Sequence, residues 1–253
     1  MPVLRLGHLG PVSFALREID GHAEQAVDPQ DPAHAALTLA QTITRLPQGA
    51  EFAALPVALV HRLCWTIYRH LYPGALENRA QCSGCGEAFE FALDLAAIVA
   101  TQDAEAADVD APRDGWWTLP SGGRLRAPTL GDLDGATGEP EALLAALAEG
   151  GVTQQEADAF LERAAPLLDF ELETTCPHCE AVHLLRFSMP HYLGRKLADE
   201  RPFLLREVHL LAGQYGWAHA EILALTRSDR RAFAALIQSE RLQTQSRRLQ
   251  AVS

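Results

Sequence analysis

A chain of 253 residues, 48% hydrophobic and 21% charged, is long enough to bury a real core, either as one domain with an insertion or as two modest ones. Its net charge of −12 works against any large sequence-independent contact with nucleic acid, which depends on neutralising phosphates. No run of about 18 uncharged apolar residues occurs, so a membrane span is not expected.

Residues 1–31 scatter Pro, Gly, Asp and His around a short apolar strand candidate at Val12 to Ile19, and an extended arm is expected. Met1 to His8 lacks a basic start leading into a long apolar run, so no secretion signal is expected. Reducing surroundings would then leave cysteine thiolates available for metal. Residues 32–75 form a helical region. Ala36, Leu37, Ala40 and Ile43 follow helical spacing from Pro32 until Pro47-Gln48-Gly49, and a second helix begins at Pro56 and stops near Tyr72, before Pro73-Gly74. Cys64 shares a helix face with Val60, Ile67, Tyr68 and Leu71, where a buried, inert thiol is expected.

Residues 76–190 hold two Cys-x-x-Cys pairs and the chain between them. The first pair is Cys82-Ser83-Gly84-Cys85, followed by the strand-like Phe89 to Leu93. Residues 101–114 carry Asp103, Glu105, Asp108, Asp110 and Asp114 against Arg113 in an Ala-rich stretch that reads as a solvated linker or mobile loop. Trp116 to Arg126 reads as a hairpin with a Gly122-Gly123 turn, its tryptophans packed on the core. Gly131 to Gly135 lacks the preceding buried strand and the following Lys of a phosphate loop, and is expected as a turn into a helix. Pro140 to Glu149 is a short helix, and Thr153 with Glu156 forms a capping box opening a helix through Phe160, Leu161, Ala164 and Leu168. The second pair, Cys176-Pro177-His178-Cys179, lies between the strand-like Phe170 to Glu173 and Val182 to Phe187.

Residues 191–240 form a C-terminal helical subdomain. Leu204, Val208, Leu211 and Tyr215 make an apolar stripe, Pro202 marks its start or a kink, and Gly213 to Trp217 breaks it. A short helix from Ala220 to Leu225 follows, then a capping box at Thr226 to Asp229 before Phe233, Leu236 and Ile237. Residues 241–253 are polar and expected to fray. Six arginines between positions 227 and 248 face only Asp229 and Glu240, and a basic end on an acidic body suits an acidic protein partner. A solvated helix face is the plainer account of each arginine taken singly.

The four paired cysteines supply the thiolates that one tetrahedral zinc needs. Each pair sits at the tip of two candidate strands, as in a zinc knuckle, and aligning the first cysteine of each sets Phe89 to Leu93 beside Val182 to Phe187. The expected fold is therefore α+β: a zinc ribbon of two knuckles and four strands, flanked by helical regions, with a mixed insertion between the knuckles. Zinc held by Cys82, Cys85, Cys176 and Cys179 has no open coordination position, so it ties chain together and cannot activate water. Redox chemistry is the main competitor, but it favours Cys-x-x-Cys at a helix N-terminus, and strand-like sequence follows both pairs. His178 is expected to face solvent, and His183 to lie on the polar face of a strand.

Further residues carry a family likeness. The two-helix start, Cys82-x-x-Cys85-Gly86 through Phe91-x-Leu93-Asp94, Cys176-Pro177-x-Cys179, the run from Leu204 to Leu225 and Arg230-Arg231 together resemble the zinc-knuckle baseplate proteins of contractile machines. These are the bacterial relatives of the T-even phage base plate protein family, found with phage tails and contractile injection systems. The likeness spans about residues 33–240 and is most specific from Glu207 to Leu225; the arm and the region from Arg113 to Leu161 match poorly. Where the family shows an acidic, Trp-containing helix, this chain has Tyr192-Leu193-Gly194-Arg195-Lys196. The resemblance implies a non-enzymatic structural or assembly role beside tube, sheath-initiator and spike proteins, in the cytoplasm during assembly, either as a part of the finished tail or injection particle or as a factor that leaves it. Glu207, His209, Trp217, Arg230 and Arg231 are the candidate docking residues.

The rival from another class is a nucleic-acid-binding regulator, a zinc ribbon joined to a helix-turn-helix over Leu204 to Ile237. The net charge and the lack of basic side chains from Ala218 to Leu225 stand against it. No Ser-His-Asp or Cys-His constellation, open metal site or paired carboxylate frame supports an enzyme.

Overall fold

The computed structural model describes residues 3–4, 12–74, 76–135 and 140–252. The architecture is α+β, with helices and small antiparallel sheets of two or three strands. In chain order, β1 (Val3–Leu4) pairs with β2 (Val12–Ser13), and β3 (Ala15–Leu16) pairs with β4 (Thr44–Arg45) across α1 (Gly21–Gln25) and α2 (Pro32–Ile43). Next come α3 (Val57–Leu71), the hairpin β5 (Glu77–Gln81) and β6 (Ala88–Ala92), and α4 (Leu95–Ala107). The middle of the chain holds β7 (Trp116–Thr118), β8 (Arg124–Arg126), α5 (Leu130–Gly135), α6 (Pro140–Leu147), β9 (Ala148–Glu149) and α7 (Gln154–Ala164). A second hairpin, β10 (Asp169–Thr175) and β11 (Val182–Ser188), leads to α8 (Met189–Asp199), α9 (Arg201–Tyr215), α10 (His219–Ala224) and α11 (Arg227–Val252).

The chain divides into two compact units, residues 1–15 with 45–190 and residues 16–44 with 191–253. The helical region expected over 32–75 is thus shared out, with α2 in the second unit and α3 in the first.

In the first unit, α3 is buried nearly all round, including Cys64, His61 and Arg62. Ala58 and Leu59 on it pack with Trp117, Ala127 and Ala164. The tryptophans of the expected hairpin have different fates. Trp117 is buried, edge-on to Phe160 at 5.4 Å, and donates its indole N–H to the Asp110 carbonyl at 2.9 Å. Trp116 is half-buried, with the Arg124 guanidinium 4.8 Å from its ring centre.

Three local expectations in this unit need correction. The acidic stretch is not a loop through its first half: Leu95–Ala107 is helical, opened by Asp94, whose side chain accepts from the Ala97 N–H at 3.0 Å. Alanine-rich sequence favours helix, and Gln102 and Asp103 serve as partners of the buried Arg62, at 2.9 and 3.2 Å. The helix expected from Pro140 to Glu149 stops at Leu147, and Ala148–Glu149 joins β8 as a third strand. Gly131 to Gly135 is itself helical, because Thr129 and Asp132 cap α5 reciprocally: Thr129 donates from its N–H to Asp132 at 2.8 Å, and Asp132 from its N–H to Thr129 Oγ1 at 3.4 Å. Two hydrogen bonds of 2.7 Å from Arg126 fix the same carboxylate and hold it well below the usual carboxylate range.

In the second unit, residues 16–31 are not an extended arm. Asp20 caps α1 by accepting from the Ala23 N–H at 2.9 Å, and the Arg227 N–H donates to the Ile19 carbonyl at 2.8 Å. Ile19 and Val27 are buried, which the scattered polar residues around them conceal in the sequence. Gly194 of α8 comes so close to Pro32 that a Cβ there would collide with the Pro32 carbonyl. Leu210, Leu211, Ile222, Ala234 and Ile237 form one core cluster of this unit, with Val208, Trp217 and Phe233 against it. Glycine 216, at φ +69°, ends α9 as a left-handed cap. The terminal segment expected to fray is helical to Val252, a stretch with neither Gly nor Pro from Arg227 onward.

Candidate metal centre

Each Cys-x-x-Cys pair occupies the turn of a hairpin, and the two hairpins share one strand register with residue numbers 94 apart. Gln81 pairs with Ala88, and Thr175 with Val182. The Cys82 N–H donates to the Glu87 carbonyl at 2.8 Å, as Cys176 does to Ala181 at 2.9 Å. The Gly86 N–H returns to the Cys82 carbonyl at 2.9 Å, as Glu180 does to Cys176 at 2.9 Å. Inside each turn a backbone N–H points at the first sulfur, from Gly84 to Cys82 Sγ at 3.3 Å and from His178 to Cys176 Sγ at 3.4 Å. This geometry needs a positive φ just after the second cysteine, supplied by Gly86 at +77° and by Glu180 at +60°.

The repeat brings all four sulfurs within 4.8 Å of one another. Cys82 and Cys179 Sγ are 3.5 Å apart and Cys85 and Cys176 Sγ 3.9 Å apart. A tetrahedral ion with metal–sulfur bonds of about 2.3 Å would space its sulfurs about 3.8 Å apart, whereas a disulfide needs about 2.05 Å. The arrangement therefore fits a single four-thiolate ion, and all five cysteines are free. Cys82 and Cys176 are buried and pack with Phe89, while Cys85 and Cys179 are exposed.

The four sulfurs shift one another's titration. The Cys85 N–H, aided by that of Gly84 and opposed by burial, holds the Cys82 thiol down to about 5. For Cys85, the Glu87 N–H pulls downward but is outweighed by burial and by the other three sulfurs, leaving it pushed up to about 12. Cys179 is likewise raised: the pull of the Ala181 N–H is outweighed, chiefly by Cys82. One thiolate disfavours the next, and a cation placed among the sulfurs would favour the ionised form of all four.

His178 is exposed, as expected. His183 is not merely polar surface. Its Nε2 lies 3.2 Å from Cys82 Sγ, and its ring sits 5.7 Å from that of Phe89. The 94-residue offset makes Phe89 and His183 equivalent positions of the two hairpins, and their contact comes from the way the tips meet. Cys64 is fully buried, and burial pushes its thiol up to about 12, as suits an inert core residue.

The proposed docking residues fare differently. Arg230 is 1% exposed and ion-paired with Glu24 and, at 2.7 Å, with Glu207. Arg227, also buried, pairs with Glu24 at 2.8 Å and with Glu200. Arg231 reaches Glu200 at 3.3 Å and Glu207 at 3.6 Å. Glu207 and Arg230 are thus internal ties of the second unit, which corrects their assignment to an outer docking face. Three arginines one helical turn or less apart meet three glutamates from α1, α9 and the residue before it. Trp217 is half-buried, stacked on Tyr215 at 4.9 Å and edge-on to Phe233 at 5.2 Å. His209 is exposed.

Among the described residues, no helix is long and apolar enough to cross a membrane. No family model matches this chain, and no curated protein or solved structure is significantly similar to it.

Proposed function

We propose that the four cysteines hold one structural zinc, making the two hairpins a zinc ribbon, and that the chain is a non-enzymatic structural or assembly component of the baseplate of a contractile tail or injection system. The observation that carries the zinc reading is the closed set of four sulfurs, the one cluster of three or more metal-ligating side chains among the described residues. Four thiolates around zinc leave no position for substrate or water, so the ion acts as a staple. Iron also accepts four thiolates, and metal analysis of protein purified without added metal tells them apart: about one zinc per chain supports the reading, and iron or no metal defeats it.

The baseplate role rests on the resemblance of the paired cysteines and of the run from Leu204 to Leu225. That run forms α9, the Gly216 cap and α10. His209 and Arg231 remain the outward members of the docking set. The regulator reading loses ground for a specific reason: Arg227 and Arg230, which would have to meet phosphates, are buried against glutamates. The decisive experiment is mass spectrometry of what sediments with the tagged protein from its native host. Sheath, tube and spike proteins in the particle fraction support a baseplate component; recovery with nucleic acid alone would replace it with the regulator.

A further inference from the structure

The first unit contains an open groove of about 930 Å³ between α5, α6, α7 and the start of β10. Its floor is apolar, formed by Leu133, Leu143, Leu144, Leu161, Leu167 and Phe170. Leu133 and Leu167 stay 44% and 37% exposed, so the groove is not sealed by the unit's own packing. Its polar lining includes Asp158, Glu162, Asp169 and Glu171, with no Lys, Arg or His. Asp169 is bound by Arg186 at 2.8 Å, whereas Asp158 and Glu162 are exposed and in no ion pair among the described residues. Such a site asks for an occupant that is apolar on one side and basic around it.

The chain itself carries a segment of that chemistry. Beyond Ile237, the last residue in the core of the second unit, α11 continues through residues 238–252, about 22 Å of helix at 1.5 Å per residue. Residues 241–253 contain Arg241, Arg247 and Arg248 and no acidic residue, in a chain of net charge −12. Leu242 is 65% exposed, and Leu249 follows it by seven residues, which places both positions on one helical face. Helix in an apolar groove, with charge fixing its register, is a recurrent mode of recognition.

We propose that the acidic-rimmed groove receives the basic end of α11 from a second copy of this chain. The contact is between unlike surfaces, so it builds a reciprocal dimer or a chain of copies. It goes beyond the proposed function and does not depend on it. An overall charge of −12 opposes non-specific self-association, so association that appears nonetheless reports a specific contact.

Sedimentation velocity of the full chain over a concentration series, at low and high salt, tests this. The expected result is a mass rising above 27.5 kDa with concentration and less so at high salt. Reversal of the tail, Arg241→Glu with Arg247→Glu and Arg248→Glu, and separately of the groove, Asp158→Lys with Glu162→Lys, should each raise the midpoint concentration at least about tenfold. Combining both reversals should restore association. Arg241, Asp158 and Glu162 are exposed, Arg247 and Arg248 fall near the end of α11, and circular dichroism checks that each variant is folded. A single-chain mass at every concentration, association indifferent to either reversal, or no rescue in the combined variant would overturn the proposal.

Discussion

The two units solve the same problem by different chemistry. The hairpins of the first unit are two-stranded and exposed along one face, so they have little apolar surface with which to hold one another. Their tips meet through four sulfurs. The second unit gathers its helices around Leu211, Ile222 and Ile237 and then adds a set of arginine–glutamate pairs that ties α1 to α9 and α11. A thiolate cluster is cohesive only while a cation occupies it, whereas the ion pairs are self-sufficient provided every partner is present. The first unit should therefore respond to chelation and oxidation, and the second to loss of a single charge.

The largest effect is expected from Cys176→Ser, which removes a buried member of the cluster. Bound metal should fall well below one per chain and the melting of the first unit should drop by more than about 10 °C. Unchanged metal content and melting would sever the cysteines from any metal role. The matching break in the second unit is Arg230→Met, which leaves Glu24 and Glu207 facing one another across a 1% exposed position. Removing one partner of a buried pair costs about 3–5 kcal/mol, and urea unfolding should show it without any change in metal content.

A third effect is acid-dependent. Burial above all, opposed by Asp169 and reinforced by Arg62, lowers the His61 imidazole from 6.5 to about 4. The folded state prefers the neutral ring, so its contribution is whole above about pH 6.5 and is lost as pH falls toward 4, about 3 kcal/mol in all. The stability difference between the natural chain and His61→Gln should shrink accordingly over that range, and taking the difference cancels the thiolates' own response to acid. A difference independent of pH would mean that His61 is more open to solvent than its packing indicates.

The smallest effect distinguishes the two hairpins from each other. Glu180 stands at φ +60° where its counterpart is Gly86. Glu180→Gly should stabilise the first unit by about 1 kcal/mol, and Gly86→Ala should destabilise it by a similar amount. Equal and negligible shifts in melting would show that the turns relax around any residue.

Much of the candidate site was legible because its signals are local. The spacing of each cysteine pair, the turn residues between them and the apolar residues on either side all lie within about a dozen positions, and hairpin geometry follows from such short-range order. The 94-residue offset even aligned His183 with Phe89, although nothing local said that the imidazole would reach a sulfur across the repeat. Helix α3 was legible from Pro56 to Tyr72 for the same reason, its start and stop being written beside it. The acidic stretch misled because charge argues for solvent. Its alanines favour helix, and Arg62, 41 residues earlier, gives Asp103 a buried partner.

The α+β class, the two hairpins and the set of four paired cysteines were legible along the chain, since each depends on close neighbours in sequence. Only tertiary structure decided which arginines are surface and which are ties. Arg230 meets Glu24 from more than 200 positions away, and a charged residue on a helix looks the same in sequence whether it faces water or a buried carboxylate. Burial is a property of what packs against a side chain, and for Arg227, Arg230 and Glu207 that partner lies on another element.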